Sequence, residues 1–325
     1  MIEGVCVWVV VPAFQEGALV GGVLRTMPAF VDHVVVVDDA STDDTSAAAR
    51  AAGDPRARVV RHGANRGVGA AIVTGYREAL RAGGAERDVI AVMAGDAQMH
   101  PDDLFGVASP VARGQADYVK GTRFGHPALW REMGVSRYAG GKVLSWLTAR
   151  ATGLEITDSQ CGYTAISRAA LGALDLDGLW AGFGYPNDLL SQLAVRRRVV
   201  HEVPVRPVYA AERSKLRARH VPRIFALVGR AAVRRVVSPI WVTRGGAAPG
   251  DREPYPCRKA EIANTDHGHS AAASKAHDAG GVGHPAGQRL APRGPAEPTP
   301  GGVAAPGASR SVGDEKLHVP AGARP

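Results

Sequence analysis

Val89 to Leu104 reads VIAVMAGDAQMHPDDL, and the reading of this stretch decides the fold. Its first half is a short unbroken apolar run, the pattern of a strand buried on both faces of a parallel sheet. The run stops at Gly95-Asp96, so a carboxylate leaves the strand at its carboxyl end, the edge where open α/β sheets hold ligands. Pro101-Asp102-Asp103 then predicts a capped helix start with acidic groups at its positive end.

Working outward, apolar runs alternate with helical patterns up to about Lys120, which predicts βαβ units and a mostly parallel sheet flanked by helices, an α/β fold. Strands are expected at Val5 to Val11, Val34 to Val37, Arg58 to Arg61, Val89 to Met93 and Asp117 to Lys120. Helices are expected at Ala18 to Met27, Thr42 to Ala52 behind an acidic cap, Gly69 to Ala82, and Asp102 to Arg113. The strands would then deliver Pro12 to Glu16, Asp38-Asp39, Asn65 to Gly69 and Asp96 to one edge.

Later in the chain, Gly134 to Thr152 predicts an amphipathic helix with Leu144, Trp146 and Leu147 on its apolar side and a stop at Gly153. Ile156 to Ser167 has a polar start and a strand-like end; Pro186 to Arg196 reads as a helix and Val199 to Val205 as a strand. Val221 to Val242 is apolar but interrupted by Arg223, Arg230, Arg234 and Arg235, a poor membrane span. Two readings stay open for it: a helix on an anionic membrane surface, or one that closes the domain with its arginines solvated. From Arg244 to Pro325 the composition turns to Gly, Ala, Pro, Ser and His, so a disordered tail is expected because too little apolar surface can be buried. The irregular spacing of His267 and His269 predicts no metal site.

The chain has 325 residues, 45% of them hydrophobic, and a formal charge of +8. That is enough for a substantial core, and it favours anionic partners. Cys6, Cys161 and Cys257 have neither disulfide-framework nor zinc spacing, which fits a cytoplasmic setting. The apolar start lacks a basic n-region and meets Pro12, so it is a first strand rather than a signal peptide. Nucleic acid is not an expected partner, because the basic residues cluster late without interleaved aromatics.

Acids at strand ends suit sugar hydroxyls and base N–H groups, being acceptors only; as helix caps they would need no ligand. GANRGVGAA, Gly63 to Ala71, fails as a dinucleotide fingerprint because Ile72 stands at the third glycine position. The backbone at Asn65 and Gly67 is still expected to approach a nucleotide. A nucleotide diphosphate calls for a hard cation, Mg2+ or Mn2+, held by one or two carboxylates and the phosphates. Asp96, with Gln98 beside it, is the expected ligand.

With these residues in view, the chain resembles the family 2 glycosyltransferases of the GT-A (Rossmann-like) fold, especially the branch of dolichol-phosphate and other polyprenyl-phosphate sugar transferases. VVVPAFQE at Val9 to Glu16, VVVVDDASTDDT at Val34 to Thr45, NRGVGAA at Asn65 to Ala71 and MAGDAQMHP at Met93 to Pro101 resemble four motifs in the family's order. The resemblance covers roughly residues 5 to 220 and implies that Pro12, Ala13 and Glu16 line the base and ribose, that Asp39, with Asp38 beside it, contacts the nucleotide, and that Asp96 holds the metal. Ala94 departs from the pattern, standing where many members carry the first Asp of D-x-D.

In the second half, DSQCGYTA at Asp158 to Ala165 resembles the acceptor-side segment. ERSKLR at Glu212 to Arg217 resembles a loop in which Arg213 and Lys215 would grip phosphates. Asp188 in GYPNDLL falls where hydroxyl-using members carry a general base, and a lipid phosphate would need none. The resulting expectation is a glycosyltransferase domain over 1–220, with a nucleotide-sugar half to residue 120 and an acceptor half after it, then a basic helix over 221–243 and the tail over 244–325. It would move a hexosyl group with inversion from a UDP- or GDP-linked sugar to a polyprenyl phosphate, peripherally at the cytosolic membrane face. The alternatives are a glycan hydroxyl acceptor or an inactive nucleotide-sugar-binding homologue. A sugar nucleotidylyltransferase is disfavoured by the acidic first turn.

Overall fold

The computed structural model describes residues 1–125, 129–208 and 221–237, all within the unit Met1–Asn264. Arg213, Lys215, the two tail histidines and the 244–325 tail lie outside the described residues.

The strands are β1 (Val7–Ala13), β2 (His33–Asp38), β3 (Ala57–Arg61), β4 (Val89–Val92), β5 (Tyr118–Thr122), β6 (Thr164–Ser167) and β7 (Val200–Pro204). They form one sheet in the order β3-β2-β1-β4-β6-β5-β7. From β3 to β4 the pairing is parallel, as the apolar runs predicted. The strand-like end expected within Ile156 to Ser167 is β6, whose placement the sequence did not announce: it enters antiparallel between β4 and β5 and so joins the stretches before and after residue 120 in one sheet.

The helices are α1 (Val20–Arg25), α2 (Thr45–Ala51), α3 (Val68–Arg81), α4 (Asp103–Ala112), α5 (Leu129–Met133), α6 (Val135–Thr152), α7 (Arg168–Gly172), α8 (Tyr185–Val195) and α9 (Val221–Val237). Because side chains alternate along a strand, Val7, Val9 and Val11 join α1, α2 and α4 in one apolar layer. Trp8 and Val10 join α3, α7 and α8 in the other. Burial on both faces is what the unbroken β1 and β4 runs required. Gly75 lets α3 close on β1, since a Cβ there would stand 2.2 Å from Val10 Cγ1.

Three local expectations are corrected. Asp102 and Asp44 precede α4 and α2 but make no side-chain cap. Instead, Asp103 binds Arg206 through its backbone N–H (2.7 Å) and Nε (2.9 Å), and Asp43 accepts from Gly17 and Thr45 N–H groups. Trp146 is 62% exposed, because α6 turns Ser145, Thr148, Ala151 and Thr152 inward; Leu144 and Leu147 do pack, against Val228 and Ala231 of α9. Gly153 ends α6 in the left-handed conformation, as expected.

Candidate active site

The carboxyl ends of β1 to β4 meet at one sheet edge. Non-glycine residues with positive φ gather there: Gln15 after β1, Ala40 after β2 and Ala97 after β4. Such conformations are held only where neighbours fix them, and they concentrate at functional sites. Here the neighbours are hydrogen bonds between the β1 and β2 loops. Gln15 N–H donates to Ser41 Oγ (3.0 Å), and Glu16 N–H to Thr45 Oγ1 (2.8 Å).

Asp38 sits beneath this loop pair, fully buried. It accepts from Ser41 N–H (2.8 Å) and the Ser46 hydroxyl, with Arg61 at 3.5 Å. Burial pushes its carboxyl up, but the hydrogen bonds from Ser41 and Ser46 prevail and hold it below the usual carboxylate range. Asp38 is thus placed to brace the loop. Asp39 faces the other way. Arg66 and Gly67 N–H groups donate to its two oxygens (2.9 and 2.7 Å), and His62 Nδ1 lies 2.7 Å from Oδ1. A carboxylate offers about four acceptor positions, which leaves Asp39 room for one further donor.

The glycine turn is also corrected. Gly67 N–H serves Asp39, and Ala70 N–H donates to Ala181 carbonyl (3.0 Å), so these amides do not open onto a phosphate. The glycines admit the Trp180 to Gly182 backbone: a Cβ at Gly69 would stand 2.3 Å from Trp180 carbonyl oxygen, and one at Gly67 2.6 Å from that of Ala181. Asn65 is exposed at the turn, and Pro12 and Ala13 end β1 beside Gly95 and Asp39, whose N–H groups donate to their carbonyls.

Asp96 lies half-buried in the turn after β4, its Oδ1 accepting Gln98 N–H (3.1 Å). Among the described residues no cluster of three or more His, Cys, Asp or Glu could hold an ion. The donor set therefore fits a cation brought with substrate phosphates and touched by one carboxylate. Past β7, Pro207 bridges Met99, and Val208 N–H meets Gln98 carbonyl (3.3 Å), so the chain runs beside this corner just before the segment carrying Arg213 and Lys215.

At the β6-β5-β7 end of the sheet, Asp158 is held by a cation from a distant element. Asp158 is fully buried; Arg123 grips it through Nε (2.7 Å) and Nη2 (3.0 Å). Burial raises the Asp158 carboxyl, but Arg123 outweighs it and keeps the group below the usual range. Glu202 in β7 accepts the Thr157 and Asp158 N–H groups (2.7 and 3.0 Å). Lys120 is buried beside them and donates to Cys161 carbonyl, its ammonium pKa lowered by desolvation. Arg123, Lys120, Glu202 and His62 were not singled out from sequence, because their partners lie 23 to 45 residues away.

Asp188, the expected candidate base, is an enclosed carboxylate. It is 1% exposed, accepts Trp180 N–H (3.0 Å) and is paired with Arg234 and with Arg230 at 3.8 Å. A carboxylate so enclosed joins α8 to α9.

Residues 8–174 match the model of glycosyl transferase family 2, and the chain belongs to that family. It is a glycosyltransferase with the GT-A arrangement. Among characterised relatives, it is 26% identical over 218 residues to the UDP-N-acetylglucosamine–dolichyl-phosphate N-acetylglucosaminyltransferase of Methanococcus voltae, covering 62% of this chain and 86% of that one. It is 32% identical over 188 residues to the undecaprenyl-phosphate mannosyltransferase of Micrococcus luteus, covering 53% and 70%. The glucosyl-3-phosphoglycerate synthase of Mycobacterium tuberculosis, crystallised with Mn2+, UDP and glucosyl-3-phosphoglycerate, superposes with a TM-score of 0.52 at 21% identity, over 72% of this chain and 80% of that one. At that identity the superposition speaks to fold alone.

Proposed function

We propose that this protein moves a hexosyl group from a UDP- or GDP-linked sugar to a polyprenyl phosphate, acting peripherally at the cytosolic membrane face. The observation that carries the choice of acceptor is the enclosure of Asp188 by Arg230, Arg234 and Trp180 N–H. A sugar hydroxyl must lose a proton as it attacks, whereas a lipid phosphate is already anionic and needs no base. The names of the Methanococcus and Micrococcus relatives support the same acceptor class.

In this reading a phosphate oxygen of the acceptor forms a bond to the anomeric carbon while the bond to the nucleoside diphosphate breaks on the opposite face, inverting the centre. Pro12, Ala13 and Glu16 line the base and ribose, and Asp39 offers its remaining acceptor position there. Asn65, Gly67 and Asp38 shape the pocket, and Arg213 and Lys215 bind phosphate. Asp96, beside Gln98, would hold Mg2+ or Mn2+, which when bound neutralises charge on the leaving diphosphate.

The test is transfer by the purified chain from UDP- and GDP-sugars, with and without Mg2+ or Mn2+, to a short polyprenyl phosphate or to a free sugar. Metal-dependent transfer to the lipid, abolished by Asp96→Ala and surviving Asp188→Asn, is expected. Transfer only to a hydroxyl, lost in both variants, would overturn the acceptor assignment; nucleotide binding without turnover would point to an inactive homologue.

A further inference from the structure

The helices α6 and α9 pack together through Leu144, Leu147 and Ala151 against Val228 and Ala231. Arg234 and Arg230 fix α9 to Asp188 of α8, and Arg235 Nη1 donates to Arg150 carbonyl of α6 (3.0 Å). With the inner face so occupied, α9 presents a second apolar face outward. Pro222, Phe225, Gly229, Val233 and Val236 follow one another at helical spacing, and all are exposed, Val236 to 75%. No charged side chain interrupts that stripe; Arg230 and Arg234 border it on the α8 side and Arg235 on the α6 side. On the neighbouring helix α6, Val135, Val143 and Trp146 are exposed too, with Arg150 following the last two at helical spacing.

A helix apolar on both sides is out of place against water. The charge around the stripe limits what can cover it. Helix α6 carries Arg137, Lys142 and Arg150, α9 carries Arg223, Arg230, Arg234 and Arg235, and neither contains an acid. An outward apolar ridge with a tryptophan, whose own two helices carry only cations, complements a bilayer whose surface is anionic and whose interior is apolar. A second copy of the chain would bring like charge against like. Among the described residues no helix is long and apolar enough to cross the bilayer, so the helices would lie along it.

We infer that the joined outer faces of α6 and α9, centred on Trp146, Phe225, Val233 and Val236, seat the protein on an anionic lipid surface. The inference rests on the proposed function for its setting, since a lipid phosphate must be met at a membrane. It assigns the contact to a surface built from both helices, where the sequence left a membrane surface open for the second alone and put Trp146 on one apolar side with Leu144 and Leu147.

The test is co-sedimentation of the full chain with phosphatidylcholine vesicles with and without phosphatidylglycerol, at low and high salt, with no nucleotide sugar present. Binding to the phosphatidylglycerol vesicles, weakened by salt, is expected. It should fall about tenfold or more in Val233→Asp and in Trp146→Ser, because a charge or a lost indole on the lipid-facing side removes the apolar insertion. Thermal melting checks that both variants fold; Phe225→Ser replaces either that does not. Equal binding by folded variants, equal binding to both vesicle types, or no binding by the wild type overturns the inference. So does a concentration-dependent dimer that Val233→Asp dissociates, which would make the occupant a second copy. Vesicle binding without lipid-phosphate transfer would sink the proposed function alone; transfer to a short soluble acceptor without vesicle binding would sink the surface alone.

Discussion

The two ends of the sheet handle buried acids differently. At the β3-β2-β1-β4 end, Asp38 and Asp39 are held mainly by hydroxyls and backbone N–H groups of their own and neighbouring loops. At the β6-β5-β7 end, Asp158 and Asp188 are held by arginines arriving from elements 35 and 46 residues away. Neutral donors leave a carboxylate its charge and keep the loops rigid. Arginines cancel the charge and tie together elements far apart in the chain.

The contrast can be broken most severely at the corner between the two ends. Asp96→Ala is expected to lower kcat for transfer by about 10²–10³-fold, the scale on which charge-stabilising groups act, with melting temperature nearly unchanged; activity within a few-fold of wild type would remove Asp96 from the site. Next in size is Arg123→Gln. Breaking a buried pair strands a charge and costs about 3–5 kcal/mol, so denaturant unfolding should show a loss on that scale. A change under about 1 kcal/mol, the worth of an exposed pair, would mean that Asp158 reaches water.

Gly69→Ala joins the two regions, because its Cβ would meet Trp180 carbonyl oxygen. Overpacking of this kind costs about 1–3 kcal/mol, and titration with UDP and GDP should show weakened binding as the glycine turn is pushed from Asp39. Undiminished nucleotide affinity would uncouple turn and pocket. Asp188→Asn should cost about 1–2 kcal/mol, below the figure for a sealed pair because Arg230 and Arg234 reach solvent. Transfer to a lipid phosphate should persist.

The subtlest test is pH. Asp38 and Asp158 both have depressed pKa values. Their stabilisation is therefore complete above the unfolded aspartate value, about 3.9, and is lost as pH falls through the lower folded values. The part of the stability that these two carboxylates supply should stay level through mildly acidic pH and be lost only below that value. In Arg123→Gln, the guanidinium no longer opposes burial and only Lys120 and the backbone N–H groups of residue 123 and Gln160 do, so the Asp158 pKa rises and the acid limb should move upward. An unmoved limb would show that Arg123 does not set that titration.

Much of this was legible in the chain. VVVVDDAS and VIAVMAGD announced buried parallel strands ending in acids, because an unbroken apolar run fits few environments and the sheet carries its end to a fixed edge. What the acids do there was not legible. Asp102 and Asp44 look like caps, yet the contacts that form nearby depend on Arg206 and Gly17. Gly67 and Gly69 look like a phosphate turn, yet they make room for a backbone more than 110 residues later in the sequence.

By itself, then, the sequence determined the family, the parallel half of the sheet and the edge where a site must lie, since local periodicity and chain direction suffice for these. Only the tertiary structure decided that β6 would enter the sheet antiparallel, that Asp188 would be closed in by α9, and that Trp146 would face outward. Each depends on which distant element arrives to satisfy a charge or cover an apolar face, and a partner tens of residues away leaves no periodic mark on the sequence around either residue.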